Sequence, residues 1–213
     1  TWFHNSFTKW NIMNPMLFPV DKVILVDADM LFLENCDDLF NLDAPAATFS
    51  SPWANPYAKN IRFNPNPYGT RKHGDIIWPK QIKKGLSGGI TCLACMVLIH
   101  PSNKAYEFMR SLLIPGKPYG SSRCISGFDE QLLAETLLLM DEPIHHIHQQ
   151  YNWIVGKYNW LDQGQLPKTQ QYYNGKPWRE NGENSEWDDV RQWWLVAASV
   201  YGDDQNIKKW FQQ

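Results

Sequence analysis

The sequence predicts an α/β fold with a mixed, mostly parallel sheet flanked by helices, and three observations predict it. Short apolar runs rich in Val, Ile and Leu alternate with stretches of helical spacing, the order that builds a sheet with helices on its faces. One run, residues 24–32 (ILVDADMLF), carries Asp27 and Asp29 at its end, and ligands of open α/β sheets bind outside the carboxyl ends of the strands. The chain has 213 residues, 43% of them hydrophobic, enough for one substantial core, and it reads as a single domain over residues 1–213.

Residues 6–18 show mixed helical spacing until Pro15, so a first helix ends near Met13 or Asn14. Residues 22–26 form a short buried strand, 30–33 a second, 37–40 a turn of helix and 46–50 another strand. Residues 52–80 hold many Pro and Asn with little periodicity and read as a long loop, a kind that is usually functional. Its HGD at 73–75 reads as a turn, and Trp53, Tyr57, Tyr68 and Trp78 offer a ligand-binding lip as the alternative. Residues 89–99 (GITCLACMVLI) make the strongest strand.

Pro101 opens a helix to Leu113 with Ala105, Phe108, Met109 and Leu112 on one face. Residues 115–128 are loop, 129–140 an apolar helix, and 144–153 a strand bearing His145, His146 and His148, read as ordinary core and surface histidines. Residues 158–184 are polar and loop-like. Residues 185–201 form a helix with Ser185 and Asp188 as a capping box, Gly202 as its stop, and Trp187, Val190 and Trp194 at core spacing.

Twenty basic residues against 22 acidic leave a net charge of −2, which argues against a nucleic-acid surface or a polybasic membrane anchor. No apolar run reaches the ~18 residues that a membrane helix needs, so no membrane segment and a cytoplasmic location are expected. Cys92 and Cys95 form a C-x-x-C inside an apolar run, while Cys36 and Cys124 are scattered. A zinc site would want a second close pair, and the four read as reduced core thiols. The 11 Trp, 9 Tyr and 10 Phe serve core packing, and aromatic faces also stack on sugars.

A buried carboxylate is costly unless it is paired or bound to a cation, so the Asp27-Ala28-Asp29 run has four readings. Asp commonly caps turns. A calcium loop fails, because Leu31 and Phe32 stand where ligands and Gly are needed. A phosphotransferase resembling the haloacid dehalogenases would use Asp27 as nucleophile, with Gly202–Asp204 as a later acidic motif. Met30 replaces the Thr or Val expected there, and Gly202–Asp204 follows a helix where that family has a strand. In a nucleotide-sugar glycosyltransferase the pair holds a divalent cation, and the cation offsets the charge that grows on the departing diphosphate.

The stretch FTKWNIMNPMLFPVDKVILVDADMLFLENCDDLF, from Phe7 to Phe40, resembles glycosyltransferase family eight, the glycogenin and galactinol synthase group. CMVLIHPS (95–102), FDEQLLAETL (128–137) and YNGKPW (173–178) keep that family's later motifs in order. The resemblance implies a GT-A fold (a Rossmann-like nucleotide-diphospho-sugar transferase), Mn2+ or Mg2+, and retaining transfer of a hexose from a UDP-sugar, UDP-glucose foremost, to a glycan or glycoprotein acceptor.

The resemblance carries roles onto single positions. Asp27 and Asp29, with Ala28 between them, match the metal and diphosphate ligands. Lys9 matches a donor-contacting Lys, and Lys176 after Gly175 the phosphate-binding Lys of a closing loop. Asp129 matches the Asp near the transferred sugar, and Gln131 and Trp178 lie toward the acceptor. A Lys ammonium is a suitable point charge for a phosphate.

The chain departs from the pattern in three places. Gln171 or Tyr172 stands where the family has a His as third metal ligand, and either offers an oxygen. Leu93, Ala94 and Cys95 replace a polar run that includes a sugar-contacting Asn. The family's βαβ region before the acidic pair spans at least ~30 residues, and 26 residues precede Asp27 here, so the front of the fold is expected to be incomplete. Missing His and Asn also admit a catalytically silent sugar- or nucleotide-binding relative.

Overall fold

The computed structural model describes residues 2–49, 71–87, 92–113, 128–155, 165–172, 176–179 and 188–202. Gly175, Cys124, Trp53, Tyr57, Tyr68, Ser185, Trp187, Asp203 and Asp204 lie outside the described residues. The architecture is mixed α/β, with mixed sheets flanked by helices. In chain order the strands and α-helices are β1 (Val23–Val26), β2 (Met30–Phe32), β3 (Ala46–Phe49), β4 (Ile76–Ile77), α1 (Pro79–Ser87), β5 (Cys92–Ile99), α2 (Asn103–Leu112), α3 (Phe128–Met140), β6 (Ile144–His146), β7 (Trp153–Ile154), β8 (Thr169–Gln171) and α4 (Asp188–Tyr201). Short 3-10 helices cover Trp2–Met13, Asp37–Asn41, Gln149–Tyr151 and Pro177–Arg179. Among the described residues no helix is long and apolar enough to cross a membrane.

The larger sheet has five strands in the order β1-β5-β3-β6-β4. It corrects the expectation of a mostly parallel sheet. The β3–β6 pair is parallel, but β1–β5, β3–β5 and β4–β6 are antiparallel. The long strand β5 runs antiparallel between β1 and β3, which separates two strands that share a direction. Alternating strands and helices set the class of fold, but direction depends on the sheet end at which each connection returns.

β5 is buried on both faces, which explains its unbroken apolar run. Cys92, Ala94, Val97 and Ile99 join one core cluster with Trp10, Ile82, Met109, Leu132, Leu133 and Leu137 of the flanking helices. Met96 and Leu98 join a second cluster with Cys36, Leu39, Ala46, Ile147 and Tyr151. Each large side chain buried this way contributes about 1.5–3 kcal/mol. β1 divides its neighbours likewise, with Val23 and Leu25 toward the first cluster and Ile24 toward the second.

A smaller sheet has three strands, β2-β8-β7. β8 lies in a stretch that the polar sequence reads as loop. Its polar side chains are buried and bonded: Thr169 Oγ1 donates to the Tyr151 carbonyl at 2.6 Å and Gln170 Nε2 to Gln192 Oε1 at 3.2 Å. β4 and α1 likewise occupy the end of the expected 52–80 loop. The expected strand over 144–153 stops at His146, and a 3-10 turn separates it from β7. The first helix is 3-10 and begins earlier than its spacing predicts.

Candidate functional site

The run Ile24–Phe32 is two strands joined at an acidic turn. β1 belongs to the larger sheet and β2 to the smaller, and Asp27-Ala28-Asp29 is where the chain passes between them. The Asp27 N–H donates to the Cys95 carbonyl at 2.8 Å, which continues the ladder with β5. The Tyr172 N–H donates to the Asp29 carbonyl at 3.0 Å, which opens the ladder with β8. The two carboxylates therefore stand at the seam between the sheets.

Three further segments meet them there. Lys9 lies within the 3-10 helix Trp2–Met13, whose Trp10, Ile12 and Met13 are buried in the larger core. Its Nζ lies 3.1 Å from Asp27 Oδ1, 2.6 Å from Asp129 Oδ2 and 3.3 Å from the Ala94 carbonyl oxygen. Asp129 sits in the first turn of α3, which Leu132, Leu133 and Leu137 anchor in that core. Lys176 lies beyond β8. Its Nζ makes an ion pair with Asp29 Oδ2 and donates to the Tyr172 carbonyl at 2.6 Å. Lys9, Asp27, Asp29, Asp129 and Lys176 are thus gathered along one seam in two ion-paired sets, Lys9 with Asp27 and Asp129, and Lys176 with Asp29.

Burial pulls the Lys9 ammonium toward neutrality, but the Asp129 and Asp27 carboxylates outweigh it and hold its pKa above the ordinary lysine value. Asp27 is pushed up from the usual carboxylate value, chiefly by burial; Lys9 opposes the shift and the like charges of Asp29 and Asp129 add to it. The two directions agree, since Lys9 faces two carboxylates while Asp27 faces one ammonium and two like charges.

The site fits a divalent cation at one oxygen in particular. Asp29 Oδ1 is buried and accepts no hydrogen bond. An unpaired buried acceptor carries its full desolvation penalty, and a hard cation is a partner such an oxygen takes. Among the described residues no group of three or more His, Cys, Asp or Glu side chains is gathered to hold a metal. A bound ion would therefore draw on the Asp27–Asp29 pair and on oxygens of other kinds.

The two candidates for a third ligand are disposed differently. The Tyr172 hydroxyl lies 2.8 Å from the Asp189 carbonyl oxygen on α4 and 2.9 Å from Gln170 Oε1 on β8, so its one proton is shared between these two acceptors. The oxygen that Tyr172 brings beside Asp29 is its carbonyl, held by the same Lys176 Nζ. Gln171 is buried opposite Met30 across the β2–β8 ladder, and directly paired residues share a sheet face. That face is the one on which Met30 packs against the second core cluster.

Gln131 is buried in α3, and its amide donates to Glu135 one turn along at 2.7 Å. Two positions apart on a helix, Gln131 and Asp129 do not face each other. The Trp178 ring packs against Trp193 of α4 with centroids 5.7 Å apart and lies 5.8 Å from Lys176 Nζ. The neighbouring Pro177 carbonyl accepts from Trp194 Nε1 at 3.0 Å, so two adjacent residues of this segment are tied to α4.

Sequence reasoning misses two partners, Glu130 and Asn152. The Ala94 peptide is held at both ends, its carbonyl by Lys9 and its N–H by Glu130 Oε1 at 3.3 Å. Glu130 follows Asp129 directly, and that acidic pair opening a helix was the available signal. Beneath the site, Cys95 Sγ donates to Asn152 Oδ1 at 2.9 Å. Burial drives the Cys95 thiol well above its usual range, so it stays protonated, in keeping with a core thiol.

A similar sequence comes from a mimivirus. An uncharacterized protein of Acanthamoeba polyphaga mimivirus is 34% identical over 116 residues. The matched part is 54% of this chain and 34% of that protein, so the chain spans about a third of that relative's length. No family model matches the chain, and no solved structure matches it.

Proposed function

We propose that the chain is the GT-A-type catalytic portion of a metal-dependent, retaining glycosyltransferase that moves a hexose, glucose foremost, from a UDP-sugar to a glycan or glycoprotein acceptor. One observation carries this reading. Five charged residues from four separate segments meet at the carboxyl end of β1, and among them Asp29 Oδ1 is left buried and unpaired. Carboxylates for a cation and ammonium groups for phosphate are what a sugar diphosphate requires.

Asp27 and Asp29 would hold Mn2+ or Mg2+. When bound, the ion offsets negative charge on the departing diphosphate. Lys9 and Lys176, on either flank of the pair, supply point charges for phosphate oxygens. Asp129, ion-paired to Lys9, lies beside the reacting sugar and steers the donor. No side chain is assigned as a nucleophile.

The test is a screen of UDP-sugars for Mn2+-dependent hydrolysis, on a chain that includes any upstream residues. Turnover with one UDP-sugar is expected, and Asp27→Asn should lower it about a hundredfold or more, the scale of losing one preorganised electrostatic contact. Full activity of that variant with Mn2+ present would sink the assignment. Phosphatase activity without nucleotide sugar would favour the aspartyl-phosphate alternative, and UDP binding without turnover a silent relative.

A further inference from the structure

We propose that Lys9 and Lys176 are internal counter-cations, and that Lys176 yields Asp29 when a metal–diphosphate complex arrives, so that metal and nucleotide bind as one unit. This rests on the nucleotide-sugar reading above and adds an order of events to it.

Both ammonium groups are held as small cations are held, by sets of oxygens. Lys9 Nζ has Asp27 Oδ1, Asp129 Oδ2 and the Ala94 carbonyl around it. Lys176 Nζ has Asp29 Oδ2 and the Tyr172 carbonyl. The pairs are part-buried, so water and salt screen them less than a surface pair. Each carboxylate of the Asp27–Asp29 pair therefore already has a cation.

A free divalent ion meets this arrangement at a disadvantage. It finds Asp29 Oδ1 unpaired, but it must approach beside two ammonium groups of like charge, and it gains the second oxygen of Asp29 only when Lys176 leaves Oδ2. A free diphosphate meets the opposite one, because three carboxylates line the same seam. Asp27, Asp29 and Asp129 against Lys9 and Lys176 leave one net negative charge among these groups. A dication alone reverses that charge, and a dication with a diphosphate dianion restores it. The displaced Lys176 ammonium then has a new anion to hold. Metal and nucleotide consequently raise each other's affinity, and by linkage the factor is the same in both directions.

The exchange predicts an unusual gain from removing a positive charge. Without the Lys176 ammonium, Asp29 has no resident cation, and free Mn2+ should bind more tightly. One charge within ~4–6 Å moves a carboxylate's equilibrium by about tenfold or more. The conservative variant Lys176→Arg keeps the charge and should keep the wild-type affinity.

The experiment is Mn2+ titration of the wild type, Lys176→Met and Lys176→Arg, read by the electron paramagnetic resonance of free Mn2+, with and without UDP. Wild type should bind Mn2+ weakly alone and about tenfold or more tightly with saturating UDP. Lys176→Met should bind Mn2+ alone about tenfold more tightly than wild type and lose most of the UDP effect. Lys176→Arg should follow wild type. If UDP enhances Mn2+ binding to wild type but Lys176→Met takes Mn2+ alone no better, the exchange is overturned and the nucleotide-sugar reading stands. If Lys176→Arg gains as much as Lys176→Met, the effect is not one of charge and the exchange is again overturned. If UDP does not alter Mn2+ binding to wild type, both fall.

Discussion

His146 is a buried imidazole, 1% exposed, whose Nδ1 accepts from the Phe49 N–H at 3.2 Å. An accepting Nδ1 requires the neutral ring protonated at Nε2. Burial is the chief cause that pulls its pKa down to about 3; the charges of Arg71, His148 and His73 push the same way and Asp75 opposes them. The folded protein therefore binds fewer protons than the unfolded chain between about pH 6.5 and about 3. The neutral ring favours the fold above pH 6.5, and that contribution is lost as pH falls through the window. From pH 7 to pH 5 stability should drop by about 2 kcal/mol from this residue, at ~1.4 kcal/mol per pH unit once the unfolded ring is charged. Denaturant midpoints at the two pH values measure the drop, and His146→Asn, which retains an acceptor near the Nδ1 position, should flatten it. An unchanged slope in that variant would assign the acid sensitivity elsewhere. The neighbouring histidines support the ordinary reading of this group: the His148 N–H donates to His73 Nδ1 at 3.3 Å, and His73 stacks on Tyr151 with centroids 4.9 Å apart.

Among the elements, α1 and β8 are the instructive ones, because the sequence hides both in different ways. α1 follows a Pro- and Asn-rich stretch, and its interior reads KQIKKG. Its start is nevertheless written locally. Pro79 takes the first helical position, and Gln81 Oε1 accepts from the Trp78 N–H at 2.8 Å, the reciprocal arm of a capping box. Gln81→Ala should cost about 1 kcal/mol, the usual worth of a cap, and speed amide exchange along residues 79–87 before the rest of the chain. Uniform exchange across the core and α1 would refute a local role. β8 hides for another reason: its Thr169, Gln170 and Gln171 are polar yet buried, and their bonding partners come from remote segments. Elements set by their own periodicity, such as β1, β5, α2 and α3, were legible. The end of α4 was legible too, since Gly202 has φ +64° and donates its N–H to the Ala198 carbonyl at 2.8 Å, a conformation suited to glycine. Elements whose stability comes from distant polar partners were not.

At the scale of the whole molecule, the acidic pair marks the crossing from one sheet to the other, and Lys176 reaches it from beyond β8 in the smaller sheet. The residues themselves single out Asp27 and Asp29, whereas Lys9, Asp129 and Lys176 are named only through the resemblance of their motifs to a known family. Strand directions, the Ala94 peptide and the Tyr172 carbonyl depend on tertiary pairing, which no local pattern encodes. Because the seam joins segments from 9 to 176 in sequence, a ligand held there binds the folded chain and has no counterpart site in the unfolded one. Such a ligand stabilises the fold by mass action, by about 2.7 kcal/mol at a hundredfold excess over its Kd. UDP with Mn2+ should accordingly raise the unfolding temperature by several degrees and by more than the two separate increments combined, and chelation of the metal should reverse most of it. Asp29→Asn should lose the joint shift while keeping its own baseline transition. A joint shift equal to the two separate shifts would mean that metal and nucleotide occupy independent places, and the seam would then be a structural ion-pair network in place of a sugar-diphosphate site.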